Sequence, residues 1–99
     1  MFMRIVWGRI LPGQWDGFEA AFKKAISLRG EVKGMKDQWL VRDQKDPDAG
    51  YSISLWESEE DMHAFWDTKK REEAMALLRP FYVNQYTVTH GEVKYSQNE

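Results

Sequence analysis

Ninety-nine residues, 42% apolar and 30% charged, make one globular domain rather than a disordered chain, with a core near the lower size limit for independent folding. The formal net charge of −2 and the lack of any long Lys/Arg run argue against nucleic acid as the main partner, and no stretch approaches the roughly 18–20 apolar residues of a membrane span. There is no cysteine, which removes disulfides, thiol catalysis and thiolate-bound metals and fits a cytoplasmic setting; the N-terminus also lacks the apolar run of a signal peptide.

Phe2–Ile10 reads as a strand, broken by Leu11, Pro12 and Gly13. Trp15–Leu28 follows as a helix, with Trp15, Phe18, Phe22, Ala25 and Ile26 on one stripe and Gly30 at its end. Met35–Asp43 is the second strand. A polar turn with Pro47 and Gly50 joins it as a hairpin to the third, Tyr51–Trp56. The third strand alternates: Tyr51, Ile53 and Leu55 point one way, Ser52 and Ser54 the other.

Ser58, with Asp61 three residues on, has the pattern of a capping box, and Glu59, Glu60 and Asp61 set negative charge at the positive end of the helix dipole. That helix is expected to run to about Asp67. A second helical piece spans Arg71–Leu78 and is stopped by Pro80; the final strand is Phe81–Val93. The domain core is residues 1–95, and residues 96–99 form a tail.

The order is β-α-β-β-α-β. Right-handed crossovers convert it into a ferredoxin-like α+β fold, a four-stranded antiparallel sheet with its helices on one face. The outer strands carry apolar residues on both faces. Met3, Ile5 and Trp7 oppose Phe2, Val6 and Ile10, and Phe81 and Val83 oppose Tyr82, Tyr86 and Val88. Two helical segments cannot cover two sheet faces, so the pattern predicts a homodimer packed sheet against sheet.

The element order, the length, and the run Leu55-Trp56-Glu57-Ser58 followed by Phe65-Trp66 resemble the antibiotic biosynthesis monooxygenase domains of the dimeric α+β barrel superfamily. The resemblance extends from Met3 to about Val93. It implies a dimeric barrel, a substrate site between sheet and helices, and oxygen chemistry without flavin or metal, in which a small phenolic or enolic substrate is deprotonated and supplies the electrons. The Trp on the second helix recurs as a pocket residue in such relatives, and Trp66 matches it. The haem-degrading branch carries an Asn on the first strand and a His at the position of Ala76; this chain has neither, which weighs against haem degradation.

Beside that resemblance, the residues themselves nominate a lining for such a pocket. Trp66, Trp39, Phe65, Tyr51 and Asn84 are the candidate substrate-binding residues: aromatic walls exclude water and hold a flat ring, and polar tips orient it. Each has a plainer account, core packing for the aromatics and a satisfied amide for Asn84. His63 is the candidate proton acceptor, set against a solvated imidazole held by Glu59 and Glu60. His90 reads as an interface or surface residue. Arg4 and Arg9 either pair with acids across the dimer, the cheaper account, or bind an anionic substrate. The acids Glu57 to Asp61 are helix-capping charge rather than a metal site, and no cofactor is expected. Two function classes follow: a cofactor-independent monooxygenase acting on a small aromatic molecule, or a non-catalytic binding or stress-associated domain of the same fold. A cavity between helices and sheet with free polar groups, against a filled core, separates them.

Overall fold

In the computed structural model, which describes residues 1–97, β1 (Phe2–Ile10) lies inside a four-stranded antiparallel sheet. The strand order is β2 (Met35–Arg42), β3 (Ala49–Trp56), β1 and β4 (Tyr82–Glu92). Helices α1 (Trp15–Arg29), α2 (Glu59–Trp66) and α3 (Lys69–Leu78) complete the order β-α-β-β-α-α-β, with one 3-10 turn over Arg79–Phe81. This is the expected ferredoxin-like arrangement. Of the expected tail, Asn98 and Glu99 lie outside the described residues.

Local chemistry accounts for the boundaries. Ser58 Oγ accepts a hydrogen bond from the Asp61 amide at 3.2 Å, and three acids occupy the first turn of α2. The helix stops at Trp66 because Thr68 caps the next one: its Oγ1 donates to the Phe65 carbonyl at 2.7 Å and accepts from the Arg71 amide at 3.2 Å. That cap starts α3 at Lys69, two residues before the expected Arg71. Pro80 sits inside the 3-10 turn, so β4 begins at Tyr82 rather than Phe81. The buried stripe of α1 is Trp15, Phe18, Phe22, Ala25 and Arg29, whereas Ile26 is exposed. Arg29 continues the stripe four residues beyond Ala25, and its guanidinium donates to Gln38 Oε1.

The core joins α1 and α3 to the end of β1, through Ile10, Trp15, Phe18, Phe22, Ala25, Ala74 and Leu78. At the other end Trp56 is buried against Phe65, with ring centres 5.9 Å apart, and its indole N–H donates to Ser54 Oγ at 2.9 Å.

Strand register decides what each sheet face carries. Trp7, Tyr51 and Val41 form one row, Ile5, Ile53 and Trp39 the next, and Met3 and Leu55 a third. Val6, Ser52 and Leu40 alternate with these rows and point to the helices, as do Arg4, Ser54 and Gln38. A Cβ added at Gly50, on this same side, would be driven into the Trp15 ring of α1. The eight apolar residues of the first three rows thus lie on the sheet face that the described helices leave uncovered. β4 contributes Thr87, Thr89 and Gly91 to that face. Among the described residues, no helix is long and apolar enough to cross a membrane.

The Ser58 cap yields a direct test. Ser58→Ala leaves the Asp61 amide without its acceptor, and chemical denaturation is expected to show a loss of about 0.5–2 kcal/mol. Coincident unfolding midpoints for the two proteins would remove the cap as a source of stability.

Candidate functional site

A cavity of about 680 Å3 opens between the helices and the sheet. Its origin lies in the short side chains of the central strands. Gly8, Ser52 and Ser54 make a low floor, while taller rings stand around them: Trp15 and Phe18 from α1, Phe65 and Trp66 from α2. The volume lies within the ordinary range of small-molecule sites, about 300–1,000 Å3. Exposed Tyr86 and Val88 of the edge strand β4 border it, so the cavity is accessible on that side.

A backbone irregularity shapes this border. Tyr82 pairs with Ile10 and Tyr86 with Gly8, so four steps along β4 span two steps along β1. Within the excess lies Asn84 at φ 62°, the only non-glycine residue with positive φ among the described residues. Asparagine tolerates this left-handed conformation better than most side chains. The amide in an apolar strand therefore has a third account beyond the two offered above: Asn84 is exposed at the cavity border because the bulge needs its backbone.

The cavity has a marked charge asymmetry. Arg4, Arg9, Arg29, Arg71 and Arg79 all border it, and no Asp, Glu, Lys or His does among the described residues. Two of the arginines are neutralised: Arg9 pairs with Asp46 at 2.6 Å and Arg79 with Glu72 at 2.7 Å. Arg4, Arg29 and Arg71 have no such carboxylate partner among the described residues. Arg4 and Arg71 both lie over Trp66, each guanidinium carbon 4.2 Å from the indole centre. Burial holds the pKa of all three below the ordinary arginine value, and Arg71 adds to the effect at Arg4. Tyr82 stands by Phe18, ring centres 5.9 Å apart, and its hydroxyl feels the fields of Arg4, Arg71 and Arg79.

The structure divides the residues nominated from sequence. Trp66, Phe65 and Asn84 border the cavity. Trp39 does not: it pairs with Ile53 on the uncovered sheet face, 41% exposed. Tyr51 borders the cavity through its place on β3, but strand alternation sends its ring to the uncovered face beside Trp7 and Val41. His63 does not reach the cavity. Its side chain is 63% exposed, with Nε2 3.3 Å from Glu59 Oε2 one helical turn back. His90 packs edge-on against Phe2, with ring centres 5.3 Å apart. Of the two β1 arginines, Arg9 finds its acid within the same chain, and Arg4 faces the cavity.

Sequence reading missed Arg29 and Arg71. Arg29 was accessible through the helical period of α1. Arg71 was not, because the Thr68 break interrupts the phase between Trp66 and α3.

Residues 1–77 match the family model described as antibiotic biosynthesis monooxygenase. A solved structure from Chloroflexus aurantiacus J-10-fl, described as a candidate antibiotic biosynthesis monooxygenase, is 25% identical; the match covers 96% of each chain with a TM-score of 0.74. A Bordetella bronchiseptica protein of the same description is 21% identical, with a TM-score of 0.84 over 95% of this chain and 97% of that one. SnoaB, a cofactor-independent oxygenase from Streptomyces nogalater, is 12% identical, with a TM-score of 0.82 over 99% of this chain and 97% of its own. No curated protein matches the sequence significantly.

The surroundings of Tyr82 give a titration test. Burial pushes its phenol pKa up, the three nearby arginines pull against this, and the net direction is upward. A raised folded pKa means that the stability linked to this group is fully present below the unfolded phenol value of about 10 and is lost as pH rises through the folded value. The ultraviolet titration difference between wild type and Tyr82→Phe is expected to lie above pH ~10. A difference centred below that value would show that the arginines outweigh burial.

Proposed function

Since the chain belongs to the antibiotic biosynthesis monooxygenase family, we propose that its cavity binds a small, planar phenolic or enolic molecule and that the protein acts as a cofactor-independent monooxygenase. One observation carries the reading: an aromatic-walled cavity of about 680 Å3 stands where a filled core would otherwise be. Trp66 and Phe65 present ring surface to it, and Tyr82 and Asn84 are polar groups at its border.

The chemistry asks little of the protein. A bound phenol or enol loses its proton, the electron-rich anion reduces O2, and one oxygen atom joins the ring carbon. Where that carbon is a CH2 group, loss of water leaves a carbonyl, so that CH2 and O2 become C=O and H2O. With no carboxylate or imidazole at the cavity among the described residues, the guanidiniums supply the driving force. Positive charge in a partly desolvated site stabilises the anion and lowers the substrate pKa, so the proton is released to solvent.

The test is oxygen uptake by purified protein with a panel of phenols and quinols. Turnover is expected to survive a chelator and to yield a ring-oxidised product. Trp66→Ala is expected to stay folded and to lower kcat/KM by about tenfold, the equivalent of 1.4 kcal/mol of lost ring contact. Turnover that needs an added flavin, haem or metal would overturn the cofactor-independent mechanism. The missing conventional base favours a second reading, a non-catalytic domain that holds the same molecules; ligand binding without oxygen uptake across the panel would select it.

The working form we propose is a homodimer. The rows Trp7–Tyr51–Val41 and Ile5–Ile53–Trp39 present an apolar surface too large to leave in water for a domain of this size. A second copy covers it by self-complementarity. Sedimentation equilibrium is expected to give twice the 11.7 kDa chain mass, and Trp39→Glu to shift the population toward monomer. A wild-type protein that stays monomeric and folded at low micromolar concentration would remove the sheet-to-sheet interface.

A further inference from the structure

We infer that the cavity selects ring compounds that carry a carboxylate, and that Arg4 and Arg71, gathered at Trp66, form the subsite for the anionic group. The inference rests on the reading of the cavity as a ligand site and adds a charge requirement to it.

Three observations point the same way. First, two guanidiniums share one indole, each 4.2 Å from its centre. Cation–π attraction offsets part of the cost of withdrawing a cation from water, but it leaves the mutual repulsion of the pair in place. Second, neither arginine has a carboxylate partner among the described residues. Arg71 Nε, like Arg9 Nε, is inaccessible to solvent and has no hydrogen-bond partner among the described residues. A buried N–H donor lacking an acceptor is a rare and costly feature. Third, the chain neutralises other arginines of the same cavity. Arg9 and Arg79 each hold an acid within salt-bridge distance, by Asp46 and Glu72. The unneutralised charge therefore lies on Arg29, whose guanidinium donates to the neutral Gln38 oxygen, and on the pair Arg4 and Arg71 at Trp66.

An anion completes this arrangement. A carboxylate accepts several N–H donors, restores neutrality to a desolvated cationic site, and matches the planar guanidinium fork better than any neutral group does. Phe18 and Phe65 border the same cavity and supply aromatic walls for the ring that bears it. Tyr82, a neutral phenol at ordinary pH, has a hydroxyl proton to donate in the field of the same arginines. A neutral ring compound would leave both guanidiniums uncompensated.

The test uses 2-naphthoate and its neutral isostere 2-naphthamide, titrated against the intact purified protein by calorimetry. Wild type is expected to bind naphthoate at least tenfold tighter than naphthamide, with the preference shrinking as salt rises. Arg71→Gln and Arg4→Gln are each expected to abolish most of that preference while changing naphthamide affinity by less than twofold. Arg71→Lys, which keeps the charge but not the fork, should retain part of it. Circular dichroism identifies any variant that fails to fold, and the other arginine then supplies the comparison. Equal affinity for the two probes in wild type, or a preference that persists in the folded glutamine variants, would overturn the carboxylate subsite while leaving the cavity as a ring-binding site. No binding of either probe would overturn both.

Discussion

The antiparallel pairing of β1 with β3 is the constraint on which the rest of this molecule depends. It brings Gly8, Val6 and Arg4 into register with Gly50, Ser52 and Ser54 on one side, and Trp7, Ile5 and Met3 with Tyr51, Ile53 and Leu55 on the other. The first side is short and the second tall. Helices laid over the short side cannot close down on it, because Trp15, Phe18 and Phe65 reach the sheet around its margin and hold the layers apart. The same register therefore leaves a void beneath the helices and a band of large apolar side chains on the face without them.

Those two consequences meet different energetic demands. The bare apolar face is a hydrophobic problem, answered by area removed from water and hence by a second apolar surface. The cavity is an electrostatic problem. Its arginines cannot be deprotonated at any ordinary pH, so burial leaves them charged and in want of partners. Arg29 finds the neutral oxygen of Gln38, Arg9 and Arg79 find acids, and Arg4 and Arg71 find an indole. Trp66 thus does more than border the cavity: it gathers two cations on one ring. Family membership is a weaker guide here, since one fold hosts many activities and only the site discriminates among them.

The structure also changes the meaning of single residues. Asn84 looked like a polar tip among aromatics, yet its left-handed backbone at the bulge already accounts for its identity. His63 looked like a base, yet it stands in solvent beside Glu59. In both cases a local backbone or helix-surface role came first, and any role toward the cavity needed a geometry that sequence order does not encode.

What the sequence determined by itself was everything governed by neighbours a few residues away. The element order, the Ser58 cap, the stop at Pro80, the aromatic stripe of α1 and the alternation along β3 all follow from short-range sterics and hydrogen bonds, and each was legible in advance, as was the resemblance carried by Leu55 to Trp66. Alternation separates Tyr51, Ile53 and Leu55 from Ser52 and Ser54, but it cannot say which side the helices cover. The expectation that Tyr51 and Trp39 line the pocket took the large side chains to face the helices, and the fold places the serines there instead. Only tertiary structure decided that, because the covered face depends on the path of α1 across the sheet and not on β3 alone. It likewise decided the meeting of Arg4 from the first strand and Arg71 from the third helix over Trp66, since their proximity is a property of packed layers and has no trace in spacing along the chain.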